Sequence, residues 1–103
     1  MKIAGFDWDS GNWPKCGKHG VSQEEIEHVL GHMTFRIPDP NPTEERFRTA
    51  GRVLNGRAVF VVYMHRERSG ETYLRAISAR YMHDKEVQAY EHVEKAMAKS
   101  AER

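Results

Sequence analysis

Two turn signals, Asn55-Gly56 and Ser69-Gly70, constrain this chain more than any other feature. Asn-Gly is the strongest short hairpin signal, because both residues accept positive φ at little steric cost. The flanking segments have strand character. Arg46–Leu54 alternates, with Arg46, Arg48 and Arg52 on one parity and Phe47, Thr49 and Val53 on the other. Arg57–His65 is apolar through its centre, as a central strand would be, and Glu71–Arg80 follows as the last strand. Strands in series joined by tight turns make an antiparallel meander.

Helices flank the meander. Ser22 at the N-cap with Glu25 three residues on forms a capping box, and Val21 with Ile26 forms the matching hydrophobic staple. Ile26, Val29 and Leu30 make one apolar stripe, and Gly31 suits the stop, so the spacing predicts a helix over 22–30. An earlier helix is expected from a cap at Asp9 or Ser10 to about Lys18, weakened by Pro14 and Gly17. Thr34-Phe35-Arg36-Ile37 reads as a short strand. Pro38 to Pro42 reads as a loop, since three prolines remove donors and fix φ. Asp84 can cap a final helix to about Ala101, with Val87, Tyr90, Val93 and Met97 on the sheet-facing side and the end from Lys99 to Arg103 fraying. The expected fold is one α+β domain over residues 1–103: a small antiparallel β-sheet packed with two N-terminal helices and one C-terminal helix.

A chain of 103 residues has room for one modest core. There is no apolar run long enough to span a membrane, and the N-terminus lacks the apolar stretch of a signal peptide. A single cysteine, Cys16, cannot form an internal disulfide. These features favour the cytoplasm and no membrane. The net charge of +1 hides an uneven distribution: residues 1–45 carry −4, residues 46–85 carry +6, and residues 86–103 carry −1. Eight of the nine cations in the middle segment are arginine, whose planar fork fits phosphate oxygens. The same pattern is also compatible with ordinary solvated strand faces.

Cutting RNA without a metal needs a base for the 2′-hydroxyl proton, an acid for the leaving oxygen, and fixed positive charge around the phosphorane. Lys18 and His19 can supply acid or base. Arg75 and Arg80 can hold the phosphate, and Arg46, Arg48, Arg52 and Arg66 are the candidate RNA-binding residues. Blander readings stand beside these. Lys18-His19-Gly20 can simply close a helix with cations on its C-terminal dipole, Arg75 can be a surface residue, and Arg80 can pair with Glu86. Glu44 and Glu45 can pair with nearby arginines or offer another base. Trp8, Trp13, Tyr63, Tyr73 and Tyr81 can stack on bases or fill the core. Cys16, His19, His28 and His32 superficially suggest zinc, but one thiolate and a short spacing argue against a metal site, and no cofactor is expected.

The ordered series Phe6-Asp7-Trp8-Asp9, Lys18-His19-Gly20-Val21-Ser22, Glu45-Arg46 with Gly51-Arg52, Gly56-Arg57 with Val59-Phe60-Val61-Val62-Tyr63, Ile77-Ser78-Ala79-Arg80, then Glu86 and Tyr90 resembles the BrnT family of type II toxins. These toxins look like RelE-type ribonucleases. The resemblance implies a small antiparallel sheet with helices on one side and metal-independent endoribonuclease activity that blocks translation. It also implies a cognate BrnA-like antitoxin with a ribbon-helix-helix region, operator DNA being reached only through that antitoxin. Lys18, His19, Arg75 and Arg80 carry over as the candidate active surface. The rival reading is a non-catalytic protein-binding module in a regulatory complex, with the arginine strands gripping acidic segments.

Overall fold

A computed structural model describes residues 2–101, with side chains to Lys99. The chain runs β1 (Gly5–Phe6), a 3-10 turn (Lys15–Gly17), α1 (Gln23–Gly31), β2 (Ile37–Asp39), β3 (Arg46–Arg52), β4 (Ala58–Arg68), β5 (Glu71–Tyr81) and α2 (Asp84–Ala101). The strands form one sheet in the order β1-β5-β4-β3-β2. Among the described residues no helix is long and apolar enough to cross a membrane.

The meander is present, and its two turns differ. Ser69 and Gly70 both have positive φ, 52° and 79°, and join Arg68 to its partner Glu71 as a two-residue turn of the type that matches strand twist. The Asn55-Gly56 turn is wider. The Val53 N–H donates to Arg57 O, Gly56 takes φ 86°, and the Asn55 side chain accepts from Arg57 N–H. β3 therefore ends at Arg52, two residues before the expected Leu54.

Between β4 and β5 the register slips. Val62 pairs with Ser78 but Tyr63 pairs with Ala76, so Ile77 has no partner and forms a bulge. The slip reverses the parity of β5. Leu74 and Ala76 before it, and Ala79 after it, all face α1 and are buried. Arg75 before it and Ser78 and Arg80 after it share the other face, beside Phe60, Val62 and Met64 of β4.

α1 forms as its sequence dictates. The Ser22 hydroxyl accepts from Glu25 N–H at 3.1 Å, and the Glu25 carboxylate accepts from Ser22 N–H at 3.0 Å. Val21 and Ile26 are buried, and Ile26, Val29 and Leu30 pack on Val59, Val61, Tyr63, Leu74 and Ala76. Each such side chain contributes about 1.5–3 kcal/mol when fully buried. The helix ends at Gly31, one residue later than expected, with His32 as its C-cap.

Four expectations need correction. The first is the two N-terminal helices: the earlier one is a single 3-10 turn, Lys15–Gly17, within a series of turns. Pro14 supplies no N–H, Gly17 disfavours helix, and so short a segment cannot repay nucleation. Local side chains satisfy the backbone instead. Asp9 Oδ1 accepts from Gly11 N–H, Asn12 Oδ1 accepts from Asp9 N–H, and Asn12 Nδ2 donates to both Asp7 O and Ala76 O. Second, the sheet is mixed. β1 pairs parallel with β5, Gly5 opposite Tyr73 and Phe6 opposite Leu74.

Third, the helices lie on opposite faces, not one side. α1 covers the Val59–Val61–Tyr63 face, whereas Tyr90 of α2 packs with Ala50 and Ala58, with Phe35, Met82 and Val87 around them. Fourth, the strand expected at Thr34–Ile37 starts at Ile37 and includes Pro38 and Asp39. The Thr49 hydroxyl satisfies Phe35 O, and Pro38 is tolerable because β2 is an edge. Of the four α2 positions assigned to the sheet, Val93 is exposed. Lys99 to Ala101 remain helical, and the fraying expected of Glu102 and Arg103 falls outside the described residues.

Asn12 is 3% exposed and clamps the N-terminal turns to β5. Replacing Asn12 with Ala strips a donor from two carbonyls in a dry site and should lower stability by about 1–3 kcal/mol. Urea unfolding measures this; a midpoint equal to wild type would show that the clamp contributes nothing.

Candidate active site

The clamp also fixes the next segment. Cys16 is buried with its Sγ against Ala76 O at 3.6 Å, and Val21 is buried at the start of α1. The chain between them must arch outward. Gly20 permits this with φ 92°, and its N–H donates to Gly17 O. Lys18 and His19 sit on the arch, exposed. They line one wall of a depression of about 480 Å³ whose other walls come from the sheet: Asp39, Arg48, Phe60, Val62, Ser78, Ala79 and Arg80.

Residues far apart in the chain thus meet in one place. Arg80 reaches across Phe60, its guanidinium 5.3 Å from the ring centroid, and donates two hydrogen bonds of 2.7 Å to Glu86 at the start of α2. Glu86 also accepts from His83 N–H at 2.9 Å, so one carboxylate caps α2 and holds Arg80. Arg48 pairs with Asp39 across β2 and β3. Among the described residues neither Lys18 nor His19 has an ion pair or a side-chain hydrogen bond. The depression therefore combines two uncommitted proton carriers with two braced cations.

The remaining expected site residues lie elsewhere. Arg75 stands on the same sheet face but is only 11% exposed, bonded to Asp7 at 2.9 Å and to both oxygens of Asp9 at 3.0–3.1 Å. Arg68 adds a second cation to Asp7 at 2.9 Å. Arg46 pairs with Glu44, and Arg52 pairs with Glu94 of α2 and donates to Gly56 O. Arg66 shares the face of Met64 and pairs in register with Tyr73. Four of the five aromatics considered for stacking are engaged on the α1 side. Tyr63 is fully buried, Trp8 donates to Glu27 and meets Trp13 edge-on, and Tyr81 donates to Glu25 beneath Arg57.

Phe60 is the ring in the depression, and the sequence reading missed it. The available signal was its parity, opposite to Val59 and Val61 in an apolar run. Asp39, Val62, Ser78 and the double role of Glu86 were also missed. Among the described residues no three His, Cys, Asp or Glu side chains gather to hold a metal. Cys16 is in the core, and His28 stacks on His32 at 4.3 Å at the C-terminal end of α1.

Charge pairing sets the proton affinities. Arg75 beside Asp9 holds that carboxyl below its usual range. Burial works to raise the Glu25 carboxyl, but hydrogen bonds from Ser22 N–H and Tyr81 outweigh it. Arg80, then His83 N–H, lower Glu86 from 4.5 to about 2.

The folded value of Glu86 is below the unfolded one. Its stabilising effect is therefore complete above about pH 4.5 and disappears as pH falls toward 2. Glu86→Gln should flatten the acid limb of the stability profile between those values, as followed by thermal melts. Parallel wild-type and variant curves would show that the pair does not stabilise the fold.

A protein-family model described as a ribonuclease toxin, BrnT, of type II toxin–antitoxin systems matches residues 8–86. Comparison with curated proteins finds no match.

Proposed function

The chain belongs to the BrnT family of ribonuclease toxins of type II toxin–antitoxin systems, and from that premise we propose that the Lys18–His19–Arg48–Arg80 depression is a metal-independent endoribonuclease centre. The observation that carries this is the meeting of an exposed Lys-His pair with Arg80 across an aromatic floor. In the proposed reaction Lys18 or His19 takes the proton of a ribose 2′-hydroxyl. The 2′-oxygen attacks phosphorus, the bond to the 5′-oxygen breaks, and the other residue of the pair protonates the leaving oxygen. Arg80 and Arg48 neutralise the charge that accumulates on the phosphoryl oxygens, with Glu86 and Asp39 keeping their forks oriented. Phe60 offers a face on which a flanking base stacks. Arg46 and Arg66, on the same sheet face, extend the path of the strand.

Arg75 has a different part in this reading. Its fork is filled by Asp7 and Asp9, so it braces the N-terminal segment that carries Lys18 and His19. Translation arrest is the expected outcome in the cell, with a ribbon-helix-helix antitoxin as the neutralising partner. One observation favours the rival reading of a non-catalytic binding module: Arg48 and Arg80 already hold carboxylates, and acidic segments of another protein could replace them.

Cleavage of a single-stranded RNA oligonucleotide separates the readings. Arg80→Ala, His19→Gln and Lys18→Met should each lower kcat/KM by about 100-fold or more, the usual loss for a preorganised donor or a proton carrier. Arg75→Ala should act chiefly on stability, lowering it by about 2 kcal/mol or more because Asp7 loses a partner in a dry setting. Wild-type rates in the first three variants would move the chemistry elsewhere, and absent cleavage by the wild type would favour the binding module.

A further inference from the structure

Exposed apolar surface is concentrated in one place. Among the described residues the exposed large hydrophobics are Ile37 at 49%, Val93 at 40% and Leu54, and only Leu54, at a turn tip, lies apart. Ile37 from β2 and Val93 from α2 both line a groove of about 330 Å³, together with Phe35, Phe60 and Tyr90. Its polar lining is confined chiefly to Arg48 and Glu86, each already in an ion pair. Apolar side chains left open together in a small domain mark an interaction surface.

We propose that this groove receives the apolar face of an amphipathic helix from the cognate antitoxin, an inference that rests on the toxin reading above. Three observations select that occupant. First, Arg48 and Phe60 line both the groove and the Lys18–His19–Arg80 depression. A segment seated in the groove therefore covers a wall of the depression, as a neutralising partner must. Second, the groove offers apolar walls and no unpaired cation, which suits a protein side chain and not a polyanion. Third, an added strand is disfavoured, because Pro38 sits mid-strand on the outer edge of β2 and has no N–H for a ladder. A helix needs no such ladder and presents side chains at i, i+3 and i+4 to a groove.

The test starts from the purified toxin–antitoxin complex, from which toxin variants are separated and checked by circular dichroism. Antitoxin affinity, read by isothermal titration calorimetry, should fall about 10-fold or more for Ile37→Asp and Val93→Asp, as for other anchors at an interface. RNA cleavage by the same variants should stay within about 2-fold of wild type, since neither residue lines the depression. Ile37→Ala and Val93→Ala should show a smaller loss in the same direction, which keeps the test valid if the Asp variants misfold. Unchanged antitoxin affinity in the folded variants would overturn the proposal. So would loss of self-association by light scattering with antitoxin binding intact, which would assign the groove to a second copy, or loss of RNA affinity alone. Calorimetry reads the groove even if the protein cuts no RNA, so failure of the nuclease reading stays separate from failure of this one.

Discussion

The pairing of β4 with β5 is the constraint on which the rest of this structure depends. It is the longest ladder, running from Val59 opposite Tyr81 to Arg68 opposite Glu71, and it anchors the N-terminal segment. β1 adds to the free edge of β5, and Ala76 O of the same strand accepts from the Asn12 amide and lies against the Cys16 thiol. The bulge at Ile77 then decides which side chains face α1 and which face the depression. Without the slip, Arg80 would point into the core with Leu74 and Ala76, and Ala79 would point outward. One unpaired residue thus places a cation on the open face and a methyl group in the interior.

That open face is rich in arginine, yet it is far from bare positive charge. Asp7 and Asp9 fill Arg75, Asp39 meets Arg48, Glu44 meets Arg46, Glu86 holds Arg80 and Glu94 holds Arg52. The carboxylates come from the acidic N-terminal and C-terminal thirds and the arginines from the middle. The charge segregation along the sequence is therefore cancelled in space. Apart from Arg75 with Asp7, which is largely buried, these exposed pairs add little to stability individually, because solvent screens them and ordering the side chains costs entropy. Their larger effect is orientation. A guanidinium held by two hydrogen bonds to Glu86 has its fork set before any phosphate arrives.

The two faces of the sheet divide the work. The α1 face is dry, with Ile26, Val59, Val61 and Tyr63 at or near zero exposure, and it supplies the rigidity. The opposite face is only partly covered, because α2 rests on it through Tyr90 and Val87 and then leaves Val93 open. A groove and a cation-lined depression remain side by side, sharing Phe60 and Arg48.

Local chemistry was legible in the sequence. The capping box at Ser22 and Glu25 needs only its own turn, and the Ser69-Gly70 turn needs only two residues. The extent of α2 follows from its helical spacing, although it begins at Asp84 and is capped through Glu86 and His83 N–H instead of by Asp84. Lys18, His19 and Arg80 were legible as residue types suited to phosphate chemistry, and the ordered motifs pointed to the family that matches residues 8–86. The parallel pairing of β1 with β5 was not legible, since a two-residue strand carries no periodicity. Nor was the loss of the first helix, which required Asn12 to find acceptors 5 and 64 residues away. Arg75 and Arg80 look alike in sequence. Only the tertiary structure filled one fork with Asp7 and Asp9 and set the other beside Phe60, because pairing register and the bulge at Ile77 are settled by long-range contacts. The sequence by itself determined where α1 and the tight turns lie, because those depend on neighbours within a few residues. Which face each arginine takes, and what it meets there, was decided by how distant strands align.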